Sequence, residues 1–251
     1  MARNDHFSAF AATYAEFRPT YPPALFAKIA ELAPATENAW DCATGNGQAA
    51  VSLTDHFGNI TATDVGAAMI ENAQPHPQVT YAVGSAEPPP IEPHSIDAIT
   101  VAQALHWFDR PTFWRTCKRV LKPNGVLAYW GYLLPEINPA VDAIVKYYHN
   151  DTVGRFWPPD REPLLNLYAK VKPPAPRVLE EGFTMEAEWS VDQLIGMLDS
   201  WSATHRAQEE TGHDPLPAAA SLLKVIWGSE STKEIVRWPL KVHAFRFNSN
   251  S

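Results

Sequence analysis

Short apolar runs rich in β-branched and aromatic residues alternate with amphipathic stretches through the first half of the chain. "NAWDCA" reads as a buried strand and "GQAAVSLTDHF" as the helix after it, and "NITATDV" with "AAMIENAQ" repeats the pair. "QVTYAVGSA" supplies a third strand. "SIDAITVAQALHW" holds a fourth, followed by the helix "RPTFWRTCKRVL", the turn "KPNG" and a fifth strand, "VLAYWGYLL". Strands of this kind, interleaved with helices, predict βαβ units and a parallel sheet covered on both faces. Beyond about residue 135 the pattern changes. "INPAVDAIVKYYHNDTVGRFWPPDREPLLNLYAKVKPP" is helical but broken by prolines, and "EEGFTMEAEWS" is a sixth strand. "VDQLIGMLDSWSATHRAQ" and "PAAASLLKVIWG" are helical, and the alternating "EIVRWPLKVHAFRF" is a closing strand. The fold class expected is α/β, a doubly wound, mostly parallel sheet of seven strands.

Composition narrows the function classes. A chain of 251 residues suits one large domain, and 45 % hydrophobic content suffices for an ordinary core. The net charge is −8 with no long basic run, which argues against a nucleic-acid partner, since phosphate binding needs clustered Lys and Arg. One or two arginines still suffice for a small anion. Cys42 and Cys117 form no metal-type pair and are too few for a disulfide scaffold, so reduced thiols and a cytoplasmic protein are expected, with no metal site. The opening "MARNDHFSAF" lacks the build of a signal peptide. No apolar run reaches the roughly 18 residues that span a bilayer, so no membrane partner is expected. The 23 prolines and 9 tryptophans suit either an aromatic-lined cavity or a well-packed core.

The candidate chemistry starts at "DCATGNG", where the first strand ends in a small-residue turn. Gly45 and Gly47 leave backbone N–H groups accessible and admit a ligand without a Cβ clash. The helix beginning near Gln48 turns its positive end to the same place. Ala50 makes this a G-x-G-x-x-A variant, which alone is a weak signal for a nucleotide. The second strand ends in Asp64, and an acid there accepts hydrogen bonds from ribose hydroxyls. The alternative is that Asp64 caps the helix starting near Gly66; together with the glycine turn, the ligand role is preferred.

These segments resemble the class I S-adenosylmethionine-dependent methyltransferases. "WDCATGNG" matches the glycine motif, "ATDVGAAM" the acid-ended second strand, "VGSAEPPPIEPHSIDAITVAQALHWFD" the third and fourth strands, and "RVLKPNGVLAYWGY" the helix, turn and fifth strand. The opening "FSAFAATYAEFRPTYP" and the late "LDSWSATHR" are similar to the small-molecule branch that includes trans-aconitate methyltransferase. The resemblance implies a Rossmann-like sheet with an antiparallel last strand and a helical cap, all within one methyltransferase domain, 1–251. It implies N-terminal lid helices over 1–35 and helical substrate-cap segments at about 136–180 and 190–229. The cofactor would be S-adenosylmethionine, with S-adenosylhomocysteine as product.

Carried over residue by residue, the resemblance places Asp41, Ala43, Gly45 and Gly47 beside the methionine part of the cofactor. Asp64 would hold the ribose. Val65 and Met69 would clamp the adenine, although Met69 also suits a core position. Ser85 and Ala86 would meet the adenine edge, with Glu87 as a second candidate there or a solvated acid. Gln103 would touch the cofactor from the end of the fourth strand. His106 is the candidate acid–base or substrate-orienting residue; packing inside the "HWF" cluster is its alternative. Tyr14 and Arg18, four apart on one helix face, would close over the cofactor or pair with its carboxylate or an acidic substrate. For Arg18 a surface ion pair is the alternative. Trp107, Trp130, Tyr132, Trp201 and His205, with Arg206 and Trp227, are expected to wall the substrate pocket. The expected activity is methyl transfer to a small-molecule O-nucleophile, a carboxylate or hydroxyl. The competing classes are a catalytically silent cofactor-binding protein on the same fold and a nicotinamide oxidoreductase, which the missing third glycine disfavours.

Overall fold

A computed structural model describes residues 19–87, 91–229 and 231–248. Tyr14, Arg18 and most of the expected lid segment lie outside the described residues.

The first helix among the described residues, α1 (Pro23–Leu32), starts with proline, whose fixed φ suits a first helical turn, and buries Leu25, Phe26 and Ile29 on one face. Then come β1 (Asn38–Cys42), α2 (Gln48–Leu53), β2 (Asn59–Asp64), α3 (Ala67–Glu71), β3 (Val79–Val83) and β4 (Ile96–Ala102). A short 3₁₀ turn at Leu105–Trp107 leads into α4 (Arg110–Val120), β5 (Leu121–Tyr132), α5 (Pro139–Tyr147) and the four-residue α6 (Glu162–Leu165). The chain closes with β6 (Arg177–Trp189), α7 (Val191–Asp199), α8 (Ser202–Thr211), α9 (Leu216–Trp227) and β7 (Glu234–Phe247).

The seven strands form one sheet in the order β3-β2-β1-β4-β5-β7-β6. Strands β1 to β5 pair in parallel, and β7 runs antiparallel to β5, from Gly125↔Phe247 to Tyr132↔Leu240. This is the doubly wound sheet with an antiparallel last strand that the sequence pattern and the resemblance implied. Strand β4 is buried from Ile96 to Val101, consistent with a central strand covered on both faces.

Two boundaries differ from the sequence expectation. The "KPNG" segment lies inside β5 as a bulge: Ile96 pairs with Leu121 and Ala98 already with Val126, while Asn124 takes φ 67°. The stretch "VDQLIGMLDSWSATHRAQ" is two helices. Trp201 breaks it with an extended backbone (ψ 134°), Ser200 Oγ donates to the Met197 carbonyl at 2.7 Å, and Thr204 Oγ1 donates to the Leu198 carbonyl at 2.7 Å. Both hydroxyls satisfy carbonyls that the end of α7 leaves orphaned.

The chain divides into two compact units. Of the described residues, one contains 21–132, 162–183 and 240–248, and the other 19–20, 133–161 and 184–239. The expected cap segment at about 136–180 is therefore split between them. In the first unit the core lies along β4 and β5, where Trp130 is fully buried with the rings of Tyr21 and Phe26 edge-on at 5.3 and 6.1 Å. In the second unit Trp201 meets Tyr148, His149 and Trp157 with ring centroids 6.0, 5.5 and 5.5 Å away, and Trp189 packs on Trp238 at 4.6 Å. Helix α7 opens with a reciprocal cap in which the Gln193 N–H donates to Ser190 Oγ and the Ser190 N–H donates to Gln193 Oε1.

Candidate active site

In the strand order, the chain turns outward to opposite sides from the β1–β4 pair, which makes their carboxyl ends the switch point where doubly wound sheets hold ligands. Two non-glycine residues sit there in left-handed backbone: Ala43 after β1 (φ 56°) and Gln103 after β4 (φ 58°). Such conformations persist where the surroundings over-determine them. Gly45 (φ 57°) and Gly47 (φ 87°) continue the turn into α2.

The two glycines serve different ends. A Cβ on Gly45 would meet no atom within 4 Å, so the space beside it is open. A Cβ on Gly47 would fall 2.1 Å from the Tyr81 hydroxyl, so Gly47 makes room for a neighbouring side chain. That hydroxyl donates to the Gln74 carbonyl at 2.7 Å.

Asp64 ties the loop together. Its Oδ2 accepts the Gly45 N–H at 2.9 Å and its Oδ1 the Gly66 N–H at 2.8 Å. Each carboxylate oxygen keeps a further lone pair for a hydroxyl donor. Asp41 is enclosed, 1 % exposed, and accepts from Thr44 Oγ1 at 2.5 Å and Thr100 Oγ1 at 2.7 Å. Burial drives its carboxyl up to about 6, against the two threonine hydrogen bonds. Asp41 therefore braces the loop from beneath, tying Thr44 to Thr100 of β4.

Beside Asp64, Val65 is 75 % exposed and Met69 half-buried. Val83, which sequence reasoning missed, is paired in register with Asp64 and 57 % exposed. Apolar side chains left open at two strand ends offer a surface to a flat ring. The signal for Val83 was its place at the end of the third strand, next to the acid. Ser85 Oγ accepts the Glu87 N–H at 3.0 Å, and Ala86 is half-buried. Glu87 Oε1 is buried with no hydrogen-bond partner among the described residues, and burial, then Asp109, raises that carboxyl.

Gln103 is bound to β5: its N–H donates to the Trp130 carbonyl at 3.0 Å and its Nε2 to the Tyr132 carbonyl at 2.9 Å. Its Oε1 is buried without a partner among the described residues. His106 rides the 3₁₀ turn anchored by buried Leu105, half-buried, with Nδ1 2.9 Å from the Tyr168 hydroxyl and the Trp107 ring at 4.6 Å. Tyr168 is a second residue that sequence reasoning missed. It follows α6 in an aperiodic stretch that gives no local signal.

The expected pocket wall is only partly available. Trp107 is 55 % exposed, but Trp130 and Tyr132 are core residues, 0 and 6 % exposed. β5 is covered on both faces, so its side chains pack inward on α1 and on neighbouring rings. Trp201 and Trp227 are likewise buried, Trp201 in the aromatic cluster and Trp227 with its indole N–H on the Thr232 carbonyl at 3.0 Å; His205 is half-buried and Arg206 exposed on α8. A cavity of about 370 Å³ lies at the amino ends of β4 and β5, between His94, Lys118, Lys122 and Phe247, away from the glycine turn. No group of three or more His, Cys, Asp or Glu among the described residues has metal-binding geometry. No helix among them is long and apolar enough to cross a membrane.

A doubly wound sheet with an open glycine, an acid on the adjacent strand and apolar side chains beyond it defines a nucleoside-binding protein. Residues 40–129 match the family model described as a methyltransferase domain. A Dictyostelium discoideum protein named as a methyltransferase is 31 % identical over 93 % of this chain and 90 % of its own length. A solved structure from Anaeromyxobacter dehalogenans, described as a type II methyltransferase, is 38 % identical and covers 92 % of this chain and 98 % of its own, with a TM-score of 0.85. A Saccharomyces cerevisiae protein named as an S-adenosylmethionine-dependent methyltransferase is 24 % identical, covering 76 % of this chain and 78 % of that one. The chain belongs to the class I S-adenosylmethionine-dependent methyltransferases. It is an enzyme, and its cofactor is S-adenosylmethionine.

Proposed function

We propose that this methyltransferase acts in the cytoplasm on an oxygen of a small organic acid or hydroxyl compound, with neither nucleic acid nor membrane as partner. The observation that carries this is His106. It follows the carboxyl end of β4, the strand next to the one that leads into Gly45, and its ring is held by a buried tyrosine hydroxyl. The similarity to the trans-aconitate branch, and the net charge of −8, support a small acid over a polyanion.

In this scheme the cofactor supplies an electrophilic methyl group on a sulfonium. The open Gly45, Ala43 and the Gln103 side chain face its amino-acid end, with Asp41 bracing the loop from beneath. Asp64 accepts from the ribose, Val65, Met69 and Val83 cover the base, and Ser85, Ala86 and Glu87 meet its edge. Trp107, exposed beside His106, supplies contacts to the acceptor. Orienting an acceptor oxygen for in-line attack is worth roughly 7–11 kcal/mol of barrier. A carboxylate is already ionised at neutral pH and asks only to be held, whereas a hydroxyl asks for a base.

The test is S-adenosylhomocysteine release against a panel of small carboxylic acids and phenols, with His106→Ala alongside. A carboxylate acceptor is expected, and the variant should then lose only several-fold at saturating acceptor. A loss of roughly 10²–10⁴ with a phenol would assign His106 as a base on a hydroxyl substrate. Turnover on RNA or protein alone would refute the small-molecule proposal.

A further inference from the structure

We propose that Tyr168 is a positioning residue that fixes the tautomer of His106, donating its phenolic proton to Nδ1 so that the ring presents Nε2–H toward the acceptor. This rests on the function proposed above and deepens it: such a ring holds an oxygen that is already anionic and takes no proton from it.

The chain goes to unusual lengths to put this hydroxyl 2.9 Å from Nδ1. Leu167 and Tyr168 are consecutive non-glycine residues in left-handed backbone, φ 46° and 58°. Strain of that kind survives only when neighbours hold it. Here they do. The Tyr168 N–H donates to the Pro163 carbonyl at 2.9 Å, and buried His243 reaches the Leu167 carbonyl through Nε2 at 2.9 Å. A carbonyl only accepts, so that contact places the His243 proton on Nε2. The Tyr129 ring stands edge-on to Tyr168 at 5.8 Å, and the Tyr129 hydroxyl donates to the Val171 carbonyl at 3.1 Å. Strand β5 is also cut away for the same ring: a Cβ on Gly131 would lie 2.6 Å from Leu164 Cδ1 and 3.0 Å from Tyr168 Cε2. A glycine within a strand marks such a close approach of another group.

The direction of the hydrogen bond follows from the chemistry of the pair. A phenol is a stronger proton donor than a neutral imidazole N–H, and an imidazole lone pair is a better acceptor than a phenol oxygen. Tyr168 is fully buried, its hydroxyl is 2.9 Å from Nδ1, and the two rings lie nearly parallel, 23° apart. The tautomer is set by the bond that the other ring nitrogen makes.

The test is long-range ¹H–¹⁵N NMR of histidine-labelled protein at pH 8 without ligand, with the His106 signals assigned by their loss in His106→Gln. The wild-type ring is expected in the Nε2-protonated pattern, and Tyr168→Phe is expected to shift it to a mixture of both tautomers. An Nδ1-protonated ring in the wild type overturns the proposal without any variant, and an unchanged pattern in a folded Tyr168→Phe overturns it too. These spectra need no acceptor, so the tautomer can be disproved while the small-acid substrate stands, or the reverse. Once an acceptor is found, Tyr168→Phe is expected to raise its KM about tenfold with kcat changed less.

Discussion

At the residue scale, Asp41 shows how a site can hold an unfavourable group. Its carboxyl is enclosed, and burial raises it from 3.8 to about 6 although two threonine hydroxyls donate to it. The folded state therefore holds a proton that the unfolded chain has released across that window. The sign follows: this group's contribution to stability is greatest below about pH 4, falls as pH rises to about 6, and is level above, by about 3 kcal/mol in all. Asp41→Asn keeps the shape and cannot ionise. The difference in Tm between variant and wild type is expected to grow in the variant's favour from pH 4 to pH 6.5, and a difference that stays flat would show that this group does not titrate there. Gly45 allows a cleaner separation of stability from binding. Its φ of 57° charges an alanine about 1–2 kcal/mol, but no atom stands within 4 Å of the new methyl. Gly45→Ala is expected to lower Tm modestly yet weaken S-adenosylmethionine at least tenfold in calorimetry. Equal affinity would mean that the open space belongs to something else.

At the element scale, most of this fold was legible before any coordinates. The central strands β1, β4 and β5 read as apolar runs because a strand buried on both faces shows no alternation. β7 did alternate, and it is the antiparallel strand. "KPNG" carried turn chemistry and is a bulge within β5, since a turn signal does not say whether pairing resumes on the same partner. The candidate site was legible where a motif marks it, in the loop where the Gly45 N–H meets Asp64. Tyr168 was not, because its position depends on Pro163, Leu167, His243 and the missing side chain at Gly131, contacts made across as many as 76 residues of sequence. Only the glycine in "YWGY" hinted that something approaches β5 closely. Trp130 and Tyr132 misled for the opposite reason: aromatic residues suit a cavity wall and a core equally well, and burial decides between them. The cap of α7 gives an element-level test. Ser190→Ala removes one half of a reciprocal pair and is expected to destabilise by about 1 kcal/mol in denaturant unfolding with the m-value unchanged.

At the scale of the whole molecule, the charge of −8 and the want of any long basic run support the proposal of a small-molecule acceptor over a polyanion. The two thiols extend the picture in another direction. Cys42 on β1 and Cys117 on α4 are 1 and 0 % exposed, and burial pushes both well above the ordinary range for a thiol. A thiolate is the reactive form, so neither sulfur is open to oxidants or alkylating reagents while the sheet is closed. They make a native stopwatch for opening: the pace of modification by an aromatic disulfide reports how often the β1–α4 layer parts. S-adenosylmethionine at a hundred times its Kd is expected to slow that pace about a hundredfold, the mass-action equivalent of about 2.7 kcal/mol. The molecule thus carries, in two sulfurs that play no part in its chemistry, a label-free gauge of how firmly its cofactor holds it shut.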